Sequence, residues 1–376
     1  MAEGKKLTTF EAACVIAGSG IGGGIMAVPY LASRTGLLSL IITALIAFAA
    51  ALLLHLMILE AALKAPGMQI LTILDRFLFK GRKPLIYIFF ALIALGTVSN
   101  LSAYLSGSAA VMEGWGLNGT IAIGAFYAIC AVIVLFGIKS MGIGEKAGVI
   151  GMLGIAAYMA IVSTARPAVP AKASFDPSGW LALYSMMMFC LGAYFAIPQV
   201  VKGLGADGRR SAIAVFWGLL ANIAITLVIS LSMTRVSDPV TKVAIVGWSE
   251  SIGGASGAIG SVFVWLALAT SFWSQSYALK DIVMEQFAVK RHTVAWLLAT
   301  APSIVMLAAG AGFIEMLKLA SGATALILLF TLLPAFANSR KQPGGWSMGA
   351  WGGRLALIMV LVAYLAMAAG SLIPVD

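Results

Sequence analysis

Charged residues are scarce in this sequence. Asp, Glu, Lys and Arg together make up 10% of its 376 residues, whereas hydrophobic residues make up 61%. A soluble globular domain carries about 25% charged residues, and a chain with so few cannot cover a folded surface with polar groups. The composition therefore excludes a water-soluble protein and indicates one that lies in a membrane.

Histidine is also rare, with His55 and His292 as the two examples. The sequence has no HExxH motif, no Ser/His/Asp set and no pair of carboxylates in the middle of an apolar run, so it lacks the residues of a hydrolytic enzyme. It also lacks the filter motif or repeated pore loop of a channel. We therefore expect neither an enzyme nor a channel.

Cysteine contributes three residues, Cys14, Cys130 and Cys190, each inside an apolar run. Their spacing forms no CxxC pair and no metal-binding pattern. We interpret them as small packing residues, and we expect no bound cofactor.

The apolar residues fall into eleven continuous runs of about 20 residues, the length at which a helix crosses a hydrocarbon core of about 30 Å. These runs do not alternate in polarity as the strands of a membrane barrel do. The sequence therefore predicts an all-α polytopic membrane protein. The predicted spans are Phe10–Ser33, Leu37–Leu63, Leu85–Met112, Thr120–Ile138, Ala147–Ala165, Trp180–Val201, Ala212–Thr234, Ala258–Leu279, Thr293–Gly312, Glu315–Ala337 and Trp351–Ile373.

The basic residues fit this arrangement and give its orientation. A net charge of +10 can indicate nucleic-acid binding, but membrane proteins concentrate Lys and Arg in cytoplasmic loops. With the N-terminus in the cytoplasm, 18 of the 24 basic residues face inward and 6 face outward. We expect a multi-pass protein of a prokaryotic cell (inner) membrane, surrounded by lipid, with its C-terminus outside and no nucleic-acid partner. The six outward residues are Arg34, Arg166, Lys172, Arg235, Lys242 and Lys318.

The spans form two blocks of nearly equal length, residues 10–166 and 180–337, with residues 351–373 as an extra span. Five spans is an odd number, so the second block is inverted relative to the first. Inverted repeats of this kind are typical of secondary transporters. We expect one transmembrane domain of five plus five spans with an eleventh span added.

Both blocks open with an interrupted helix. Span one has five glycines between Gly18 and Gly24, followed by Pro29, and span six has Gly192 followed six residues later by Pro198. Glycine weakens a helix by about 1 kcal/mol and proline by about 3 kcal/mol. Irregular backbone at membrane depth is tolerated where it lines a cavity or binds a ligand. The two breaks therefore predict a binding site.

The glycine run has two other interpretations. Its spacing satisfies GxGxxG, but no strand precedes it and no acidic residue follows about 20 positions later, so a dinucleotide site is excluded. The pairs Gly18/Gly22 and Gly20/Gly24 also satisfy GxxxG, a close-packing motif. Close packing alone explains neither Pro29 nor the matching break in span six.

The segment from Gly18 to Pro29, GSGIGGGIMAVP, resembles the span-one signature of the amino acid/polyamine/organocation superfamily, which has the leucine-transporter (LeuT) fold. LLLHLMILEAAL (Leu52–Leu63) and LATSFWSQSYALKD (Leu268–Asp281) resemble spans two and eight of the amino acid/auxin permease group, particularly bacterial tryptophan/tyrosine permeases. The resemblance implies a secondary active transporter that takes up an amino acid by cation-coupled alternating access. The alternative is proton-coupled or exchange transport of another small amine or amino acid.

The resemblance also implies the roles of individual residues. Backbone amides in the first break would bind the substrate carboxylate, backbone carbonyls at both breaks would accept from its ammonium group, and the second break would shape the side-chain pocket. Because the pocket residues carry no charge, we expect a neutral, hydrophobic or aromatic amino acid. The amides are those of Gly22, Gly23 and Gly24, the carbonyls those around Gly18, Ser19, Phe189 and Cys190, and the pocket residues Gly192, Ala193 and Tyr194.

Polar residues inside other spans extend this site. Asn100 and Tyr104 lie on one face of span three, where they would reach the substrate, close the outer gate or simply pack between helices. Thr270 and Ser271 in span eight would form an all-oxygen Na⁺ site with three backbone carbonyls of spans one and eight. Alternatively, their hydroxyls would bond back to their own helix. The carbonyls are those of Ala17, Gly20 and Ala267.

A proton is the alternative coupling ion. His55 and Glu60 in span two are ionisable residues within the membrane and hence functional candidates. Both are predicted to lie off the midplane, toward the cytoplasm, and predicted span five (Ala147–Ala165) has no titratable acid or base of this kind. The sequence therefore favours Na⁺ over H⁺, and it leaves the oligomeric state open.

Two loops are long enough to contain short helices. Lys64–Pro84 has apolar residues at helical spacing and would lie in the membrane interface or pack on the bundle. Asp238–Ser256 would cover an outer vestibule or serve as a connector.

Overall fold

All regular secondary structure in the described part of the chain is helical. The structure is a computed structural model, and it describes residues 6–169, 176–241, 244–310, 312–342 and 344–373. Each of the eleven predicted spans overlaps a helix. Among the described residues, seven helices are long and apolar enough to cross a membrane alone, and the two halves of span one do so as a bent pair. The prediction of a polytopic helical membrane protein is confirmed.

The spans have the following bounds, and they are numbered in chain order below. Span one is Thr9–Gly20 and Val28–Thr35, span two Leu37–Leu63, span three Lys83–Gly114, span four Gly119–Leu135, span five Ile138–Thr164, span six Pro177–Cys190 and Ile197–Gly203, span seven Gly208–Val236, span eight Ser256–Phe287, span nine His292–Ala308, span ten Phe313–Ile327 and Leu333–Ser339, and span eleven Arg354–Ser371. A π-helical turn, Leu328–Leu332, joins the two parts of span ten.

The prolines of spans one and six lie where each helix resumes after its break. Pro29 and Pro198 occupy the first turn of the second half-helix. Proline is tolerated there because an amide in the first turn has no intrahelical acceptor, and its fixed φ suits the helix. The glycines therefore end one half-helix and the proline starts the next, which explains their common six-residue spacing.

Span five differs from its prediction. It begins at Ile138 rather than Ala147, directly after Gly137, whose positive φ of 92° makes the turn. Residues 139–146 are therefore part of the span, not a cytoplasmic loop. Lys139 pairs with Glu11 of span one (Nζ–Oε2 2.6 Å), and Glu145 is fully buried. The prediction that span five carries no titratable residue is wrong.

The two long loops both pack on the bundle. Within Lys64–Pro84, a helix at Ile70–Leu74 and a π-helical turn at Asp75–Phe79 bury their apolar side chains. The outer loop contains a helix, Ala244–Ile252, whose Trp248 is fully buried. Each loop is therefore fixed against the helices that it joins.

A polar cluster joins the C-terminal ends of spans six and eight. The carboxylate of Asp281 accepts from Lys202 (3.1 Å) and Lys280 (3.1 Å). The side-chain amide of Gln69, from the loop Lys64–Pro84, also donates to Asp281 (3.3 Å), and its backbone amide donates to Glu285 (3.0 Å). These bonds hold the C-terminal ends of spans six and eight and this loop together.

Glu60 ties span two to the segment between spans ten and eleven. Its buried carboxylate pairs with Lys64 (3.5 Å) and Arg340 (3.3 Å), and it accepts from the backbone amide of Met348 (2.9 Å) and the hydroxyl of Ser347 (3.3 Å). Every side of this carboxylate is bonded. Its role in the structure is to anchor this connection near the C-terminal end of span two.

We expect Glu60→Ala to lower the free energy of unfolding by about 3 kcal/mol, because the partly buried Lys64 and Arg340 lose their counter-charge and the amide of Met348 loses its acceptor. Thermal denaturation in detergent measures this as a lower melting temperature. The matched control is Glu113→Ala, at an exposed position near the C-terminal end of span three. It should leave the melting temperature unchanged. Equal melting temperatures for both variants would show that the anchor contributes nothing.

Candidate substrate and cation site

The first half of span one ends at Gly20, and the chain turns by 60° before the second half begins. Gly22 is extended, and a short 3₁₀ turn runs from Gly23 to Met26. The amide of Gly22 donates to the carbonyl of Gly20 (2.8 Å), whereas the amides of Gly23 and Gly24 have no acceptor among the described residues. Two of the three amides predicted to bind a carboxylate are thus free to donate.

The break in span six is held by a histidine from span two. The amide of Ala193 donates to Nε2 of His55 (3.1 Å), and Nδ1 of His55 lies 2.7 Å from the carbonyl of Ala51. This pairing assigns the neutral tautomer with its proton on Nδ1. His55 therefore lies at the break of span six, a contact that the sequence interpretation did not predict. A role in proton transfer stays a prediction, but both ring nitrogens are already bonded.

A small buried cavity of about 20 Å³ lies between the two breaks. Six of the predicted substrate residues line it, as does Gly20, which was predicted to bind the cation. Among the described residues, no charged side chain lines it. The lining residues are Ser19, Gly20, Ile93, Gly96, Thr97, Asn100, Tyr104, Phe189, Gly192, Tyr194, Phe195, Gln275, Thr324 and Ile327.

The other predicted substrate residues lie behind this lining. Gly22 faces the hydroxyl of Tyr104, which would be 2.7 Å from a Cβ at that position. A Cβ added to Gly24 would likewise lie 2.9 Å from the side chains of Phe189 and Cys190. Since a Cβ at either position would collide with a neighbour, glycine allows the close approach. Gly18, Gly23 and Ala193 likewise border the breaks without lining the cavity.

Gln275 of span eight connects the two polar residues predicted in span three. Its Oε1 accepts from the amide of Asn100 (3.2 Å), and its Nε2 donates to the hydroxyl of Tyr104 (3.2 Å). The sequence interpretation missed Gln275. The signal was present, because Gln275 follows Ser271 by four residues and therefore shares its helix face.

Asn222 of span seven bridges the two breaks, and it too was missed. Its side-chain amide donates to the carbonyl of Cys190 (2.8 Å) in span six and lies 3.4 Å from the carbonyl of Ala17 in span one. A buried asparagine in an otherwise apolar span was the available signal. Asn222 holds the carbonyl ends of both first half-helices together.

The hydroxyls predicted to bind Na⁺ do lie against span one. Ser271 Oγ is 3.0 Å from the carbonyls of Gly18 and Ile21 and 3.5 Å from that of Ser19. Thr270 bonds back to its own helix, to the carbonyls of residues 266 and 267 at 3.0 and 3.1 Å. The structure thus places Ser271 beside carbonyls near those predicted.

Two of the predicted carbonyl ligands make other contacts. The carbonyl of Ala17 accepts from the amide of Ile21 (3.1 Å) and faces Asn222, and that of Gly20 accepts from the amide of Gly22. Neither of these bonds involves span eight. The Na⁺ assignment of Ala17, Gly20, Ala267, Thr270 and Ser271 stays a prediction.

Glu145 lies beside this group of oxygens. Its Oε1 accepts from the indole N–H of Trp273 (2.8 Å), and its Oε2 has no hydrogen-bond partner in the part of the chain that the structure describes. A Cβ on Gly18 would overlap Oε2 and lie 3.1 Å from Cβ of Thr270. Spans one, five and eight therefore meet at a carboxylate that the predicted span boundaries had placed in a loop.

Solved transporter structures share this fold. The chain is similar to the structure of Mhp1, a nucleobase–cation symport-1 family transporter in a closed conformation with bromovinylhydantoin bound (15% identity, 97% of this chain and 91% of that chain, TM-score 0.72). It is also similar to the Eremococcus coleocola manganese transporter in complex with an aromatic bis-isothiourea-substituted compound (14% identity, 96% and 86%, TM-score 0.66). The LeuT-type fold of five plus five inverted spans with an eleventh is confirmed.

Sequence comparison is consistent with this result and more specific. No curated protein matches the sequence significantly. The sequence model of the tryptophan/tyrosine permease family, in contrast, matches residues 5–370. The wider superfamily named from the glycine motif and the exact repeat boundaries stay predictions. The chain is a multi-pass membrane transporter rather than an enzyme, and it belongs to the tryptophan/tyrosine permease family.

Proposed function

We propose that this protein is a cation-coupled secondary transporter that carries a neutral aromatic amino acid into a prokaryotic cell by alternating access. The observation that carries the proposal is the buried cavity between two broken helices, lined by aromatic and neutral polar side chains. Half-helix ends at such a cavity supply the amides and carbonyls that an amino acid backbone requires.

The first break provides complementary groups for both ends of an amino acid. The unpaired amides of Gly23 and Gly24 begin a helical turn, where donors and the helix dipole favour an anion such as a carboxylate. The carbonyls of Gly18, Ser19 and Ile21 end the preceding half-helix, where a cation is favoured. A zwitterion would therefore bind with its carboxylate and ammonium groups on opposite sides of the break.

The cavity lining favours a neutral aromatic side chain. Tyr104, Phe189 and Tyr194 offer aromatic surfaces, and Asn100 and Gln275 offer amide groups for a phenol hydroxyl or an indole N–H. A charged side chain would be buried there without a counter-charge, which is costly. The family description, tryptophan/tyrosine permease, agrees with this choice.

Transport requires this closed arrangement to open on each side in turn. A cavity of about 20 Å³ is far smaller than an amino acid, so the lining must separate before a substrate enters. Phe313 and Leu317 of span ten lie beside Gly23 on the outer side. On the inner side the cluster around Asp281 must separate. We assign these two groups as the outer and inner gates.

The coupling ion would bind where spans one, five and eight meet. The sequence-based preference for Na⁺ is still a prediction, and the group around Ser271 is where we expect such an ion. The preference for Na⁺ over H⁺ relied on the absence of a titratable residue from span five. That premise is wrong, because Glu145 lies in this span.

Ligand-induced thermal shifts test the substrate class. We expect L-tryptophan, L-tyrosine or L-phenylalanine to raise the melting temperature of the purified protein, because a ligand at 100 times its Kd stabilises a protein by about 2.7 kcal/mol. Tryptamine, which lacks the carboxylate, should have no effect. Stabilisation by Lys, Arg, Asp or Glu alone would contradict a neutral pocket.

Gly23→Val tests the carboxylate site. A branched side chain would block the approach of a carboxylate to the amides of Gly23 and Gly24, and each lost charge-assisted hydrogen bond costs about 1.5–3 kcal/mol. We expect uptake of L-tryptophan into proteoliposomes to fall by about tenfold or more. The control is Gly124→Val, at an exposed position with no atom within 4 Å of the added Cβ. Normal uptake by Gly23→Val would contradict the assignment.

The charge distribution predicts the orientation, which cysteine labelling tests. Arg82→Cys lies before span three and Glu113→Cys at its far end, both exposed, whereas the native cysteines are buried. With the N-terminus in the cytoplasm, a membrane-impermeant maleimide added to intact cells should label residue 113 and not residue 82. The reverse result would invert the topology.

A further inference from the structure

A second and larger cavity lies where spans one and seven end. Its volume is about 920 Å³, comparable with the roughly 300–1,000 Å³ of ligand pockets in proteins. The last turn of span one, the first turn of span two, the end of span seven and residues 237–240 contribute to its lining. Among the described residues that line it, none belongs to the predicted substrate or cation site. The cavity is therefore separate from the one between the two breaks.

Part of the lining is apolar and adjoins the lipid. Leu37 of span two and Leu231 of span seven line the cavity, and their side chains are also 47% and 37% exposed on helices that cross the membrane. Leu40, one turn after Leu37, lines the cavity as a buried residue. Exposed side chains of a spanning helix contact hydrocarbon. The cavity is therefore accessible to an acyl chain along this apolar part.

The charged part of the lining lies where the helices end. Arg34 is in the last turn of span one and Arg235 in the last turn of span seven, and both line the cavity. They are two of the six basic residues predicted to face outward. Basic residues are scarce on that side of a membrane protein, so the presence of two at one cavity indicates a ligand with negative charge.

Arg235 is held in a way that leaves the end of its side chain available. Its Nε donates to the carbonyl of Ser163 at the end of span five (3.2 Å). Within the described residues, its two terminal nitrogens make no hydrogen bond and no ion pair. A guanidinium group binds phosphate through parallel N–H donors, often two at once. Arg235 therefore presents a fixed donor group to a phosphate.

The remaining charges determine which headgroup fits. Arg34 lies over the ring of Tyr30 (5.3 Å), and Asp176, at the start of span six, attracts it. Asp238 also lines the cavity, and the carbonyl ends of the two helices add partial negative charge. The positive charge is thus only partly balanced within the lining, where two arginines face one aspartate. A singly anionic headgroup balances it, whereas a zwitterionic headgroup adds an ammonium group that the arginines repel.

From this geometry we propose that the cavity binds an anionic phospholipid. Its phosphate binds Arg235, with Arg34 beside it. An acyl chain lies along Leu37, Leu40 and Leu231. A soluble anion would leave the leucines exposed to water, and an uncharged apolar chain would leave the arginines without a counter-charge. Because the last turn of span one forms part of the wall, the bound lipid contacts the half-helix that follows the break.

Native mass spectrometry of the purified protein in detergent tests the headgroup. We expect the wild type to retain one phosphatidylglycerol and to bind phosphatidylcholine more weakly. Arg235→Gln should weaken the binding of phosphatidylglycerol by about tenfold or more, because a charge-assisted hydrogen bond is lost. The matched control is Arg354→Gln, at an exposed arginine that begins span eleven and does not line the cavity. It should bind phosphatidylglycerol as the wild type does.

A matched pair of leucines tests the acyl chain. Leu37→Trp places an indole ring where the chain lies and should reduce the retention of phosphatidylglycerol with both arginines intact. Leu38→Trp, at the next residue, is 71% exposed and does not line the cavity. It should leave retention unchanged. Equal retention by the two variants would contradict an acyl chain in this cavity.

Three further results would overturn the proposal. Binding of phosphatidylglycerol by Arg235→Gln as tight as that by the wild type would exclude the phosphate site. Equal retention of phosphatidylcholine and phosphatidylglycerol by the wild type would exclude the preference for an anion, and this comparison requires no variant to fold. Glycerol 3-phosphate has the phosphate without acyl chains, so its binding as tightly as the lipid would indicate a site for a soluble anion. None of these measurements depends on the transported substrate.

Discussion

The interrupted backbone of spans one and six is the constraint on which the rest of this structure depends. Inside a membrane, water is not available to the amides and carbonyls that a broken helix releases, so protein groups must bond them. Three side chains do so. Ser271 bonds carbonyls of span one, His55 accepts from the amide of Ala193 in span six, and Asn222 joins the two breaks through the carbonyls of Cys190 and Ala17.

These bonds also make the breaks suitable for binding a ligand, because the side chains that bond the free backbone groups belong to other helices, namely spans two, seven and eight. The amino acid proposed as substrate has the same chemistry, with a carboxylate that accepts and an ammonium group that donates. It would therefore join the internal bonds at little cost, provided that the helices around it shift together. The amides of Gly23 and Gly24 have no acceptor among the described residues, and in the proposed function they would bind the carboxylate.

The sequence predicted the spans, the two breaks and six of the residues that line the cavity, because hydropathy and glycine–proline spacing report directly on backbone placement. It missed Gln275 and Asn222, which act through partners on other spans. Spacing along one helix shows which residues share a face but not what that face meets. For the same reason it did not predict that His55 of span two bonds the break in span six.

The error in span five has a physical cause that applies to membrane sequences generally. A boundary drawn by hydropathy stops at the first charged residues, so a buried acid near the end of a helix is assigned to a loop. Two buried glutamates differ in how completely they are bonded. Glu60 is bonded by two cations and two further donors, whereas Glu145 accepts one hydrogen bond and its other oxygen has no partner among the described residues. The position of Glu60 is therefore explained by the helices that it holds together, and the same explanation does not extend to Glu145.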